Sequence, residues 1–198
     1  MPDLLEPVSP NLAIAGFGFA QFVDERRRTI HSRRLMLALS RVIEDAAASA
    51  PGTTLIAAFQ RFAFAIPQAP RYARLTPHLA ETYLLGLADA QLPGWPNTTL
   101  VPIEPSWPLL HEWVVLAIGP ACCVGLFAQD PAARQPAERT QQFTGCWTTD
   151  PEVLDAAWDG FFRALGQPRA AVQRDSRAVR VTNQRLQQQL RAQVRAVR

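Results

Sequence analysis

Residues 109–130, LLHEWVVLAIGPACCVGLFAQD, decide the fold. Two apolar runs, Glu112–Ile118 and Ala121–Ala128, flank the Gly119-Pro120 step. Gly-Pro between runs rich in Val, Leu and Ile is a turn signal, so the stretch reads as a β-hairpin. Neither run alternates polar with apolar. Strands covered on both faces have this continuous character, which predicts a hairpin in mid-sheet with helices packed on either side.

Working outward, Thr53–Phe59, Glu81–Ala88 and Thr99–Ile103 read as strands before the hairpin, and Phe143–Thr149 as a last strand at an edge. Leu35, Leu39, Val42, Ile43 and Ala46 form the stripe of an amphipathic helix that stops at Pro51-Gly52. Tyr72–Leu79 suggests a short helix broken at Pro77, and 89–98 a loop from which Trp95 either faces solvent or reaches back over a cleft. After Asp130, a helical or loop stretch is expected up to Gln142. Asp150-Pro151 has the order of an N-cap followed by the first helical residue, and Gly166 and Pro168 end that helix. The expected fold is α/β or α+β: a central mixed sheet of about five to six strands flanked by helices, followed by a long C-terminal helix.

Three segments follow from this reading: a lead-in arm over 1–30, a domain over 31–166 and a coiled-coil linker over 167–198. From Ala170 onward there is no Gly or Pro. Val172, Val179 and Leu186 recur at sevens, as do Asn183, Leu190 and Val197, which makes them d and a positions of a dimerising seam. An Asn at an a position is a device for fixing register. The tail is also basic: from Arg163 to Arg198 there are nine Arg and one acid, against eleven Arg and sixteen acids in the rest of the chain. The competing reading is therefore an Arg-rich arm for nucleic acid or an acidic partner, which the seam spacing makes the weaker of the two. The chain contains no lysine.

A hydrophobic content of 48% with 19% charged residues fits a folded globule, and no run is long enough for a membrane span. No secretory signal is visible, and three cysteines with an adjacent pair, Cys122, Cys123 and Cys146, make a poor disulfide framework. A reducing cytoplasm is the expected setting, with the thiols buried as small apolar groups.

Catalytic patterns are missing. His31, His78 and His111 stand apart, and none has a donor at metal-ligand spacing. Gly16 and Gly18 of GFGFAQF lack the third glycine and the βαβ setting of a dinucleotide loop, and a lysine-dependent phosphate loop is excluded. The Arg26–Arg28 and Arg33-Arg34 clusters read as a solvated face. What stands out is aromatic content: ten Phe, five Trp and two Tyr. Trp107, Trp113 and Trp147 fall near strand ends with Gln60, Arg61 and Glu112 as polar company. A few polar groups on an apolar pocket is the build of a small-ligand site, so these six are the candidate ligand-binding residues. The competing reading is packed core, where most aromatics of a domain this size lie.

The order of segments resembles a known family. LALSRVIED (Leu37–Asp45), AAFQRFAF (Ala57–Phe64), RYARL (Arg71–Leu75), LLHEWVVLAIGP (Leu109–Pro120) and ERTQQFTGCWTTDPEVL (Glu138–Leu154) are together similar to the DICT sensory domain, over roughly residues 32–165. The nearest pieces are Phe59-Gln60, Glu112-Trp113 and the F-x-G-x-W-T-x-D-P run from Phe143 to Pro151. The resemblance implies a non-enzymatic input module, found beside diguanylate cyclases and two-component kinases, that hands a signal through a coiled coil to a fused or separate output domain. It names no ligand or cofactor. A homodimer with a small-molecule ligand is expected, and nucleic acid is not.

Overall fold

A computed structural model describes residues 14–130, 142–169 and 171–197. The hairpin sits where its composition places it. β5 (Glu112–Ile118) and β6 (Cys123–Gln129) pair antiparallel, in register from Ile118 with Cys123 to Glu112 with Gln129. They are the middle of a seven-stranded sheet of order β1-β7-β6-β5-β2-β3-β4. The remaining strands are β1 (Thr29–Ser32), β2 (Thr54–Arg61), β3 (Glu81–Leu87), β4 (Thr98–Ile103) and β7 (Gln142–Thr148). β2, β3 and β4 run parallel, and every other pairing is antiparallel, so the sheet is mixed.

Two expectations about the sheet are corrected. The described residues form seven strands, the additional one being β1. β7 is therefore interior: β1 covers its outer side, with Thr29 opposite Gly145 and Ser32 opposite Gln142. β1 buries only His31 of its four residues, which is why no apolar pattern announces it. The stretch between Asp130 and Gln142 lies outside the described residues.

Strand residues alternate between two cores. On one face Leu55, Leu84, Val115, Ala117 and Leu126 meet α1 (Arg33–Ala48) and Tyr72 of α3 (Ala69–Leu75). On the other, Ile56, Leu85, Val114, Leu116 and Phe127 meet α4 (Pro151–Leu165). Both cores are shut off from water, which is the physical content of the unbroken apolar runs in β5 and β6. The helix ends carry their caps. Ser32 Oγ accepts the Leu35 N–H at 3.3 Å to open α1. Asp150 accepts the Glu152 N–H at 3.1 Å with Pro151 as first helical residue, and Gly166 closes α4 in the left-handed region at φ 66°. Between β2 and β3 the chain forms the single-turn α2 (Phe62–Ala65) before α3, and Thr76–His78 continues as a 3-10 turn at Pro77.

The described part of the lead-in is built into the domain. Ile14, Phe17, Phe19 and Val23 are buried in the α4-side core, and Phe19 stacks on Phe161 at 5.8 Å. Arg28 is likewise not a solvated charge. Its guanidinium donates to Gln129 Oε1 at 2.9 Å and to the carbonyls of Ala20 and Val23 at 2.7 and 3.1 Å, tying this segment to β6.

The C-terminal helix, α5, spans Ser176–Val197 rather than starting near Ala170. Asp175 is its cap, accepting the N–H groups of Arg177 and Ala178 at 2.9 and 3.0 Å, while its own N–H donates to the Pro120 carbonyl at the hairpin turn. Val172 therefore lies outside the helix, in a segment held by the Arg174–Asp155 ion pair, and packs half-buried against the α4-side core rather than on a helical seam. α5 packs along α1, and Leu186 and Leu190, two of the expected seam residues, are buried in the α1-side core of their own chain. Val197 packs against the same core and Val179 against the other, both half-buried. Among the described residues, none bonds the buried Asn183 Oδ1.

Candidate functional site

A cleft of 290 Å³ opens between α1, the C-terminal end of β2, the start of β5 and the α2–α3 segment. Its position follows from the sheet. β2 and β5 are antiparallel, so the end of one meets the beginning of the other, with Ala58 opposite Val114. β2 then leaves its pairing with β3 through a bulge between Ala58 and Arg61. Gln60 stands in that bulge at φ 63°, in the left-handed region that non-glycine residues occupy at a cost of about 1–3 kcal/mol. The kink turns Gln60 to the cleft, where it is buried, and among the described residues no group bonds its side-chain amide.

Trp113 forms the opposite wall. Its Nε1–H donates to Ser40 Oγ at 2.9 Å, and that hydroxyl donates to the Met36 carbonyl at 2.9 Å. Its ring meets Phe143 edge-on at 5.1 Å. Leu37, Phe59 and Phe64 supply the apolar lining, and Arg33 and Arg41 stand at the rim. At the floor lies Glu44, a buried carboxylate that accepts from Tyr72 Oη at 3.0 Å and from Arg71 Nε at 2.7 Å. Burial pushes the Glu44 carboxyl up, with Arg71 and Tyr72 pulling it back, and burial beside Glu44 raises the Tyr72 hydroxyl well above the usual range. Arg71 also reaches the Arg41 carbonyl and Asp45, so one guanidinium clamps α3 to α1 along the cleft floor.

Of the six residues expected to bind ligand, Gln60 and Trp113 meet in this cleft and the other four do not. Arg61 faces outward and pairs with Asp89 at 2.6 Å, where Asp89 also accepts the Ala63 N–H. Trp107 is core on the α4 side. Glu112 precedes Trp113 on a strand, so it points to the opposite face. It is buried there and accepts the N–H groups of Phe19 at 2.7 Å and Ala20 at 3.1 Å. Burial raises its carboxyl to about 7 against the pull of those bonds and of the Arg28 charge. Trp147 lies by β1 and α5, along a separate groove. Ser40, Glu44 and Tyr72 went unforeseen because α1 and α3 signal their apolar stripes and not which polar residues those stripes carry inward.

The three cysteines are buried and unbridged, and burial raises the thiols of Cys122 and Cys123 to about 12 and about 11. Neither is a nucleophile at neutral pH. Among the described residues no three metal-donor side chains converge, and no helix is long and apolar enough to cross a membrane. Trp95 is buried and packs on Tyr72 at 5.9 Å, behind the cleft floor.

Over residues 20–131 the sequence matches the DICT family, described as the sensory domain in diguanylate cyclases and two-component systems. The match takes in the segment stapled by Glu112 and Arg28 and stops before β7, a range shifted toward the N-terminus from residues 32–165. No curated protein and no solved structure matches the chain.

Proposed function

Because the chain belongs to the DICT family of sensory domains, we propose that it is a non-catalytic, cytoplasmic signal-input module whose ligand occupies the α1–β2–β5 cleft. The signal passes through α5 to an output domain, fused or separate, such as a histidine kinase or a diguanylate cyclase. One observation carries this reading: α1 walls the cleft with Leu37, Ser40 and Glu44 and also takes α5 along its flank. A small molecule that shifts α1 must alter the surface on which Leu186 and Leu190 sit. The lining suits a compact, mainly apolar ligand that bonds the free Gln60 amide.

Transmission by a two-stranded coil would use Val179, Asn183, Leu186, Leu190 and Val197. Docked on α1, Leu186 and Leu190 are already buried. The docked and the paired states of α5 therefore exclude one another, and ligand acts through its unequal affinity for the two. The homodimer is then the undocked form.

The test is a thermal-shift screen of small aromatic and heterocyclic compounds, followed by hydrogen exchange along α5 with a hit bound. Hits should lose about tenfold or more in affinity on Gln60→Ala or Trp113→Phe, and the α5 amides should change protection. Hits indifferent to both substitutions, or unchanged exchange in α5, would sink the reading.

A further inference from the structure

A second cavity, of 580 Å³, runs along the free edge of β1, between that strand, β7 and the last turns of α5. It shares no lining residue with the α1–β2–β5 cleft. Its walls combine apolar and cationic side chains with Thr29, His31 and Ser32 of β1. Leu35, Trp147, Val194 and Val197 are apolar, and Ile30 beside them is 68% exposed, an unusual state for an isoleucine on a strand. Arg27, Arg191 and Arg195 bring three guanidinium groups, and no acid lines the groove among the described residues. Arg27 has only a loose, exposed contact with Asp150 at 3.7 Å, and no ion pair is formed by Arg191 or Arg195 among the described residues. An exposed pair of that kind is worth little, so all three charges are available to an incoming anion.

Guanidinium groups beside an indole suit a ligand with a flat ring to stack and an anionic group to grip. The cavity volume falls in the range of small-molecule sites. β1 has only four residues, too short an edge to template an extended peptide. We propose that this groove is a second binding site, for a flat organic anion: an aromatic or heterocyclic ring bearing a phosphate or carboxylate. Trp147 and Ile30 belong to the sheet, whereas Arg191, Val194 and Arg195 belong to α5. A bound anion therefore bridges the two and holds α5 in its docked position. The site stands whether or not the α1–β2–β5 cleft takes a ligand.

Isothermal titration of the full chain with 1-naphthyl phosphate and with AMP tests it, with naphthol, adenosine and inorganic phosphate as separate arms. The expected result is saturable binding of one or both ring phosphates, weakened by salt. Affinity should fall by about tenfold or more in Arg191→Gln/Arg195→Gln, while Gln60→Ala leaves it unchanged. Thermal midpoints of the uncomplexed variants, taken alongside, certify their folding. Preference between the two probes separates a bare aromatic anion from a nucleotide. No binding at millimolar concentration, equal binding of naphthol or inorganic phosphate, or affinity untouched by the double substitution would overturn the proposal. So would an acidic peptide binding where neither ring phosphate does.

Discussion

Glu112 shows how a residue can be conspicuous in the sequence for one reason and important in the fold for another. A carboxylate beside a tryptophan suggests a ligand contact. The strand period of two separates the pair, and Glu112 becomes the staple that holds Phe19 and Ala20 to β5. Its folded-state pKa, about 7, lies above the unfolded value of 4.5. The protonated form is thus favoured in the folded chain, and that contribution is present below about pH 4.5 and lost as pH rises through about 7. In urea unfolding, wild type should lose up to about 3 kcal/mol relative to Glu112→Gln between pH 4.5 and pH 8. A difference that stays flat with pH would refute the shifted carboxyl. Two glycines make a sharper test of packing. A Cβ on Gly145 would stand 2.2 Å from the Phe127 carbonyl oxygen, whereas one on Gly16 would meet nothing within 4 Å. Gly145→Ala should cost about 3 kcal/mol or more and Gly16→Ala under about 1 kcal/mol, read from denaturation midpoints. The glycine of the Phe143–Pro151 run is thus explained by the close approach of β6, which a sequence cannot display.

At the scale of elements, what could be read depended on where the forces act. β5, β6 and α4 were legible because their signals are local: unbroken apolar runs, a Gly-Pro turn, an Asp-Pro start. β1 was not, since a four-residue strand with a single buried side chain has no periodicity to find. The cleft was half legible. Gln60 and Trp113 were found from strand ends, but the bulge that brings Gln60 inward is a register event between β2 and β3. In α5 the heptad spacing picked out Leu186 and Leu190 as packing residues; here they pack on α1 of their own chain, and a 3.5-residue seam and a globular stripe differ little over three turns. The helix begins late for a tertiary reason, the Pro120 carbonyl that anchors Asp175. Leu190→Ala should cost about 2–5 kcal/mol in global unfolding and raise amide exchange across α5 first. An exposed coil residue would cost far less, so a loss under about 1 kcal/mol would refute intrachain docking.

For the molecule as a whole, the tail is part of the core and not an appendage to it. Stopping the chain after Gly166 removes Leu186 and Leu190 and uncovers the flank of α1. Two fully buried leucines correspond to about 4 kcal/mol, so the shortened chain should melt well below the full one in calorimetry. Equal melting temperatures would mean that α5 contributes no packing in solution. The docking of α5 on α1 also sets an order of events during synthesis. α1 ends at Ala48 and α5 begins at Ser176, so α1 leaves the ribosome long before its cover exists. At about 5–20 residues per second, its apolar flank waits on the order of ten seconds for α5 to be made and to seal it.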